Sequence, residues 1–235
     1  MDEPRVHRLL TVIVPVFNER NTVGEIVRRM RRVELPIDRE IMIVDDGSSD
    51  GTDKVLAAVE DSTVRVVRHS ENQGKGAAVR TGLRSARGDV VLIQDADLEY
   101  DPEDWPRLIA PILRGRAEVV YGSRYRGERE AVSMRNYLAD RSLSLFTSVL
   151  FNTAISDIQT GFKVFDRPVI DAITIESDGF DLEPELTAKL LKAGRKIYEV
   201  PVSYSGRGAD EGKKYTWRDE IAAMRTLVRL RVQRP

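Results

Sequence analysis

Asp89-Val90-Val91-Leu92-Ile93-Gln94-Asp95-Ala96-Asp97 is an apolar run that ends in two carboxylates one residue apart. An apolar stretch of this length, without polar alternation, fits a strand covered on both faces, as in a parallel sheet. Alternate residues of a strand share a face, so Asp95 and Asp97 can converge on one hard divalent cation, and that cation can neutralise a diphosphate. The pair therefore points to an enzyme that handles a nucleotide-linked substrate. Taken alone, a solvated loop or a helix cap explains it as well, so its neighbours matter.

Two units of the same kind lie upstream. Thr11-Val12-Ile13-Val14-Pro15-Val16 runs into Phe17-Asn18-Glu19, and Glu40-Ile41-Met42-Ile43-Val44 runs into Asp45-Asp46-Gly47-Ser48. The alternation predicts strands at 9–16, 40–45, 64–68, 89–95 and 117–121, with helices at 21–33, 51–60, 74–86 and 103–114 between and after them. This is the pattern of stacked βαβ units. Beyond Gly122 it breaks into a helical stretch near 133–151, a strand at 162–166, a helix at 181–193 and a strand at 196–204. In open α/β sheets the ligand crevice lies outside the carboxyl ends of the strands, so the polar turns after the first, second and fourth strands can share one site. Neither a GxGxxG fingerprint nor a Walker A loop is present, and Asn72-Gln73-Gly74-Lys75-Gly76 is only a weak phosphate motif.

Pro15-x-Phe17-Asn18-Glu19, Val44-Asp45-Asp46-Gly47-Ser48, Asn72-x-Gly74-Lys75-Gly76, Asp95-Ala96-Asp97-Leu98 and Gly122-Ser123-Arg124-Tyr125 stand in the order and spacing of family 2 glycosyltransferases. More narrowly, the chain resembles the dolichyl- and polyprenyl-phosphate hexose synthases from about Leu10 to Lys214. The resemblance implies an α/β GT-A fold: a Rossmann-like, mostly parallel sheet with helices on both faces and the acceptor region in the carboxyl-terminal half. It also implies an inverting, metal-dependent transfer of a hexose from GDP-mannose or UDP-glucose to polyprenyl or dolichyl phosphate. The other possibility is a glycosyltransferase with a small-molecule or saccharide hydroxyl as acceptor.

Composition is consistent with one domain over 1–235, with a nucleotide half at about 9–124, an acceptor half at about 125–214 and a basic helix at about 215–235. With 41% hydrophobic residues the chain can bury a sizeable core, zero cysteines exclude thiolate chemistry, and two histidines argue against a histidine-built metal site. No apolar run reaches the roughly 20 residues of a membrane span, and the amino terminus lacks a signal-peptide core. The expected location is the cytoplasm, with peripheral contact to a membrane surface if the acceptor is a lipid. The net charge of -1, with no interleaving of aromatic and basic residues, argues against nucleic acid. From Lys213 to Pro235, however, seven basic residues face two acids. As a helix, this segment sets Trp217, Ile221, Met224, Val228 and Val232 on one stripe, flanked by Arg218, Arg225 and Arg229. Such a helix can lie on an anionic membrane or pack its stripe on the core. The stretch 132–151 is apolar on two sides, with Leu145 and Val149 on one and Leu143, Phe146 and Leu150 on the other.

On the resemblance, Pro15, Phe17, Glu19, Val44 and Asp46 match positions that hold the nucleoside. Lys75, Asp95 and Ala96 fall in substrate-binding motifs. Asp95, Asp97 and Glu99 match the metal-binding motif for Mg²⁺ or Mn²⁺, Glu99 standing where the family often has glutamine. Arg124 matches the arginine that meets the sugar phosphate. Arg207 and Lys213 match a cationic loop that closes over the diphosphate and the acceptor phosphate. Asp157 and Glu185 match acidic positions near the acceptor, as does Glu183. An ionised phosphate acceptor needs no general base; a hydroxyl acceptor does, and Asp157 is then the candidate.

Overall fold

The computed structural model describes residues 6–126, 134–206 and 217–233. Strands β1 (Leu9–Val16), β2 (Asp38–Asp45), β3 (Val64–Arg68), β4 (Val90–Ile93), β5 (Val119–Ser123), β6 (Lys163–Asp166) and β7 (Ile197–Pro201) form one seven-stranded sheet in the order β3-β2-β1-β4-β6-β5-β7. The first four strands are mutually parallel, and β5 and β7 are also parallel to each other. β6 runs antiparallel to both of its neighbours and separates β4 from β5.

The helices are α1 (Val23–Arg32), α2 (Thr52–Ala57), α3 (Lys75–Ser85), α4 (Trp105–Leu113), α5 (Met134–Phe151), α6 (Arg167–Asp171), α7 (Leu182–Lys192) and α8 (Trp217–Val232). They cover both faces, as the pleat dictates. Leu10, Val12, Val14 and Val16 of β1 pack with Ile26 and Met30 of α1 and Trp105 and Leu108 of α4. Ile13, pointing the other way, packs with Val79 of α3, Leu143 of α5, Leu186 of α7 and Leu227 of α8. The continuous apolar strands are thus buried on both sides.

Of the two roles open to the α8 stripe, core packing is not the one its residues Ile221, Val228 and Val232 take. Ala223, Leu227 and Leu230 form its buried face, whereas Ile221, Val228 and Val232 are exposed. On α5, Leu143 is buried while Leu145 and Val149 are 66% and 76% exposed. The two helices pack side by side, so their outward residues add up to an apolar strip. No helix among the described residues is long and apolar enough to cross a membrane.

Candidate active site

The loops after β1 and β2 are stitched to each other. Ser48 Oγ accepts from Asn18 N at 2.9 Å, and Asn18 Oδ1 accepts from Ser49 N at 2.9 Å. Thr52 Oγ1 and Asp50 Oδ2 accept from the amides of Glu19 and Arg20, each at 3.0 Å. Asn18 sits at φ 55°, a left-handed conformation that asparagine tolerates. Pro15, Phe17 and Glu19 remain partly exposed at this edge, and Glu19 Oε2 accepts from Thr22 Oγ1.

Val44 and Asp46, matched to the nucleoside positions, are turned inward. Val44 is fully buried against Met42 and Ala78. The Asp46 carboxylate is 2% exposed and accepts from Gln73 N at 2.9 Å and Gly74 N at 2.7 Å, while His69 Nδ1 lies 2.7 Å from it. Asp46 therefore anchors the loop ahead of α3.

The same loop does not form a phosphate cradle. The first amides of α3 are taken by the chain itself, since Gly76 N donates to the Asp178 carbonyl at 2.7 Å. A Cβ on Gly76 would lie 2.0 Å from the Ser177 carbonyl oxygen, so only glycine admits this contact. Lys75, expected to bind substrate, bridges Asp95 Oδ1 at 2.7 Å and Glu183 Oε1 at 2.8 Å. Burial opposes the Lys75 charge, but the two carboxylates prevail and raise its pKa. Burial likewise works to raise the Asp95 pKa, and Lys75 outweighs it, so Asp95 stays ionised below the usual range. Ala96 is buried. Glu185 is fully buried and holds the amides of Glu176 and Ser177 at 2.8 and 2.7 Å, which makes it a fold anchor rather than an acceptor contact.

Asp97 and Glu99 remain partly exposed on the loop after β4. Asp97 Oδ1 accepts from Glu99 N at 3.2 Å, and Glu99 Oε2 accepts from the Tyr204 hydroxyl at 3.0 Å. Tyr204 also covers Arg124, whose guanidinium lies 5.2 Å from the ring centroid. Asp157 holds Arg124 from below: Nε donates to Oδ2 and a terminal nitrogen to Oδ1, both at 2.8 Å, and the Arg124 amide adds a third bond at 3.1 Å. Asp157 is wholly buried. Burial alone would lower the Arg124 pKa, but Tyr100 and Asp157 raise it, so the cation is permanent. A carboxylate with both oxygens on a guanidinium is poorly placed to accept a proton from an acceptor hydroxyl. Arg207 and Lys213 lie outside the described residues.

Among the described residues no three His, Asp or Glu side chains converge into a ready cation cage. The donor set nevertheless suits Mg²⁺ or Mn²⁺: Asp97 and Glu99 are hard oxygen donors on an accessible loop. Mg²⁺ in particular takes one or two carboxylates plus substrate phosphates rather than a closed protein cage. Asp95 is tied to Lys75 through Oδ1, and its second oxygen could join the set without loss of that pair.

Sequence patterns did not single out Lys163, Glu199 or Ser156. Lys163 is 2% exposed at the start of β6, donates to the Thr160 carbonyl and faces the Tyr121 ring at 4.9 Å. Burial pushes its pKa down to about 8, against the pull of Glu183. Its signal was a lone cation opening an apolar strand, Lys163-Val164-Phe165. Gly161, just before it, lets Asp95 approach, because a Cβ there would lie 2.3 Å from Asp95 Oδ2.

The family model for glycosyl transferase family 2 matches residues 11–174. The undecaprenyl-phosphate 4-deoxy-4-formamido-L-arabinose transferase of Pseudomonas fluorescens (strain Pf0-1) is 32% identical over 209 residues, covering 87% of this chain and 59% of that one. The undecaprenyl-phosphate mannosyltransferase of Micrococcus luteus is 30% identical over 219 residues, covering 88% of this chain and 87% of that one. This chain thus spans about three-fifths of the first relative's length and most of the second's. Glucosyl-3-phosphoglycerate synthase from Mycobacterium tuberculosis, solved with Mn²⁺, uridine diphosphate and glucosyl-3-phosphoglycerate, superposes with a TM-score of 0.70 at 20% identity, covering 95% of this chain and 78% of that one. That likeness shows the fold alone, the GT-A arrangement.

Proposed function

The chain belongs to glycosyl transferase family 2, and we propose that it moves a hexose from GDP-mannose or UDP-glucose to a polyprenyl phosphate at a membrane surface. The observation that carries this is the meeting of the acidic loop after β4 and the Arg124 loop after β5 at one sheet edge: Tyr204 touches Glu99 with its hydroxyl and Arg124 with its ring. A nucleoside diphosphate set there lies between carboxylates that can share a divalent cation and a guanidinium whose outer edge can take phosphate oxygens. The names of the two undecaprenyl-phosphate transferases support the acceptor class. The exposed apolar strip on α5 and α8, with Arg225 and Arg229 beside it, supports contact with an anionic lipid surface.

Asp97 and Glu99 would hold Mg²⁺ or Mn²⁺, which supplies charge neutralisation at the diphosphate. Arg124, fixed by Asp157, orients the same diphosphate. An oxygen of the acceptor phosphate, already ionised, attacks the anomeric carbon from the side opposite the leaving group. The bond from that carbon to the diphosphate oxygen breaks, the configuration inverts, and the nucleoside diphosphate departs with the electron pair. Arg207 and Lys213 are assigned to the acceptor phosphate on the family resemblance. With a hydroxyl acceptor, such as the soluble phosphoglyceric acid bound by the synthase solved from M. tuberculosis, a base would be needed, and the Asp157 to Arg124 pair argues against one at that position.

The test is transfer of radiolabelled hexose from GDP-mannose and UDP-glucose to undecaprenyl phosphate, run beside a phosphoglyceric acid acceptor with Mn²⁺ present. Transfer to the lipid phosphate with either donor supports the proposal. Transfer to the soluble hydroxyl alone overturns it.

A further inference from the structure

Glu199 lies on β7 opposite Tyr121 of β5, with its side chain 3% exposed. One of its oxygens, Oε1, accepts three hydrogen bonds from a single turn: Ser156 N at 2.8 Å, Ser156 Oγ at 2.7 Å and Asp157 N at 3.1 Å. Three donors on one oxygen fix the direction of two successive peptide N–H groups, and with them the exit vectors of both side chains. Those side chains grip the loop after β5. Asp157 takes the backbone and guanidinium of Arg124. Ser156 Oγ lies 2.7 Å from Ser123 Oγ, which accepts in turn from Tyr125 N at 3.2 Å. The second oxygen of Glu199 forms an ion pair with Arg126 at 3.2 Å. This one carboxylate is therefore linked to every residue from Ser123 to Arg126: directly to Arg126, through one intermediary to Ser123 and Arg124, and through two to Tyr125.

We propose that Glu199 is a positioning residue for Arg124, acting through the Ser156–Asp157 turn. This rests on the reading that Arg124 meets the donor diphosphate. The triple acceptance on Oε1 carries the effect. Arg126 is half exposed, so its ion pair is screened and contributes little. Two consequences distinguish positioning from mere stability. A neutral isostere keeps the acceptor oxygen, so Glu199→Gln should preserve the geometry that Glu199→Ala removes. The Glu199 effect should also vanish once Arg124 is gone, because an intermediary has nothing left to position.

The experiment pairs a substrate-free readout with a kinetic one. In nitrogen-15 spectra the Arg124 Nε–H, assigned by its loss in Arg124→Lys, should exchange slowly in the parent and in Glu199→Gln. In Glu199→Ala it should exchange about tenfold faster or more, as expected when a buried hydrogen bond is loosened. With Mn²⁺ and whichever of UDP or GDP binds the parent, Glu199→Ala should weaken affinity about tenfold, while Arg124→Ala combined with Glu199→Ala should be no weaker than Arg124→Ala alone. Unchanged Arg124 Nε–H exchange in a folded Glu199→Ala would overturn the proposal, as would multiplicative losses in the double variant. If Glu199→Ala does not fold, Glu199→Asp withdraws the oxygen by one methylene, and unchanged Arg124 Nε–H exchange in it would equally sink the idea. Failure of both nucleotides to bind the parent would count against the donor reading of Arg124, whereas the exchange data alone decide whether Glu199 holds that side chain.

Discussion

At the carboxyl edge of β1, β2 and β4, loop amides and carboxylates are largely paired within the chain: Asn18 with Ser48, Asp46 with Gln73 and Gly74, Asp95 with Lys75. Along α5 and α8 the opposite holds. Leu145, Val149, Val228 and Val232 turn outward, at 66%, 76%, 43% and 73% exposure, with Arg225 and Arg229 of α8 also exposed. The first surface is preorganised for a small charged ligand whose groups must meet fixed dipoles. The second has few polar groups to orient anything and gains only by removing its apolar area from water. A substitution at the polar edge should therefore act on chemistry or on buried charge, and one on the strip should act only on partition to a surface.

The largest effect expected is at Asp97. Asp97→Ala should lower transfer by on the order of 10²-fold or more, by analogy with removing one preorganised electrostatic group, and EDTA should do the same. Because the side chain is a partly exposed loop carboxylate, urea midpoints should barely move. Full activity in EDTA would break the metal assignment for this edge.

Asp157 should behave differently although it lies on the same side of the sheet. Asp157→Ala leaves a buried guanidinium without its partner, which costs about 3–5 kcal/mol when one member of a buried pair is removed. Urea unfolding of Asp157→Ala beside Asp97→Ala sharpens the comparison. Equal stabilities would show that the pair is solvated in solution.

Lys163 gives a pH signature. Its folded pKa of about 8 lies below the unfolded value near 10.4, so between these values the unfolded chain binds more protons and stability rises with pH. Below pH 8 the parent therefore bears the full cost of a buried cation, at most about 3 kcal/mol. Lys163→Met should exceed the parent in stability at pH 7 and lose that advantage by pH 10. A difference that stays flat with pH would mean the ammonium is satisfied where it lies.

The smallest effect concerns the strip. Leu145→Glu with Val149→Glu should change stability by less than about 0.5 kcal/mol, as surface substitutions do. The same pair should reduce co-sedimentation with anionic vesicles several-fold, and salt should reduce it further through Arg225 and Arg229. Unchanged co-sedimentation would leave the strip without a lipid partner.

The first strands were legible because a sheet buried on both faces writes itself as unbroken apolar runs, and β1 and β3 begin and end where the pattern predicts. α6 was not, since five residues carry too little periodicity to register. Nor was the place of β6, because periodicity reports burial and says nothing of neighbour or direction. In the site, the Asp95 and Asp97 pair stood out as the polar end of an apolar run, whereas Arg124 came from the family resemblance. The partner of Lys75 could not, since Glu183 lies 108 positions away and nothing local encodes the pairing. Which side of α8 packs was not legible for a related reason: the helix has apolar residues on more than one side, and contact with α7 and α5 chose the side bearing Ala223, Leu227 and Leu230.

The reversed strand β6 also constrains how the chain can be assembled. β4 finds β1 as soon as residue 93 is available, but its other edge stays open until Lys163 to Asp166 arrive, and β5 cannot join the sheet before then. About 70 residues must therefore be synthesised while Val90-Val91-Leu92-Ile93 offers an unpaired apolar edge, the kind of template that invites pairing between chains. A nascent chain halted at Arg126 should bind a holdase chaperone and aggregate when released, whereas one halted after Asp166 has the segment that closes the gap.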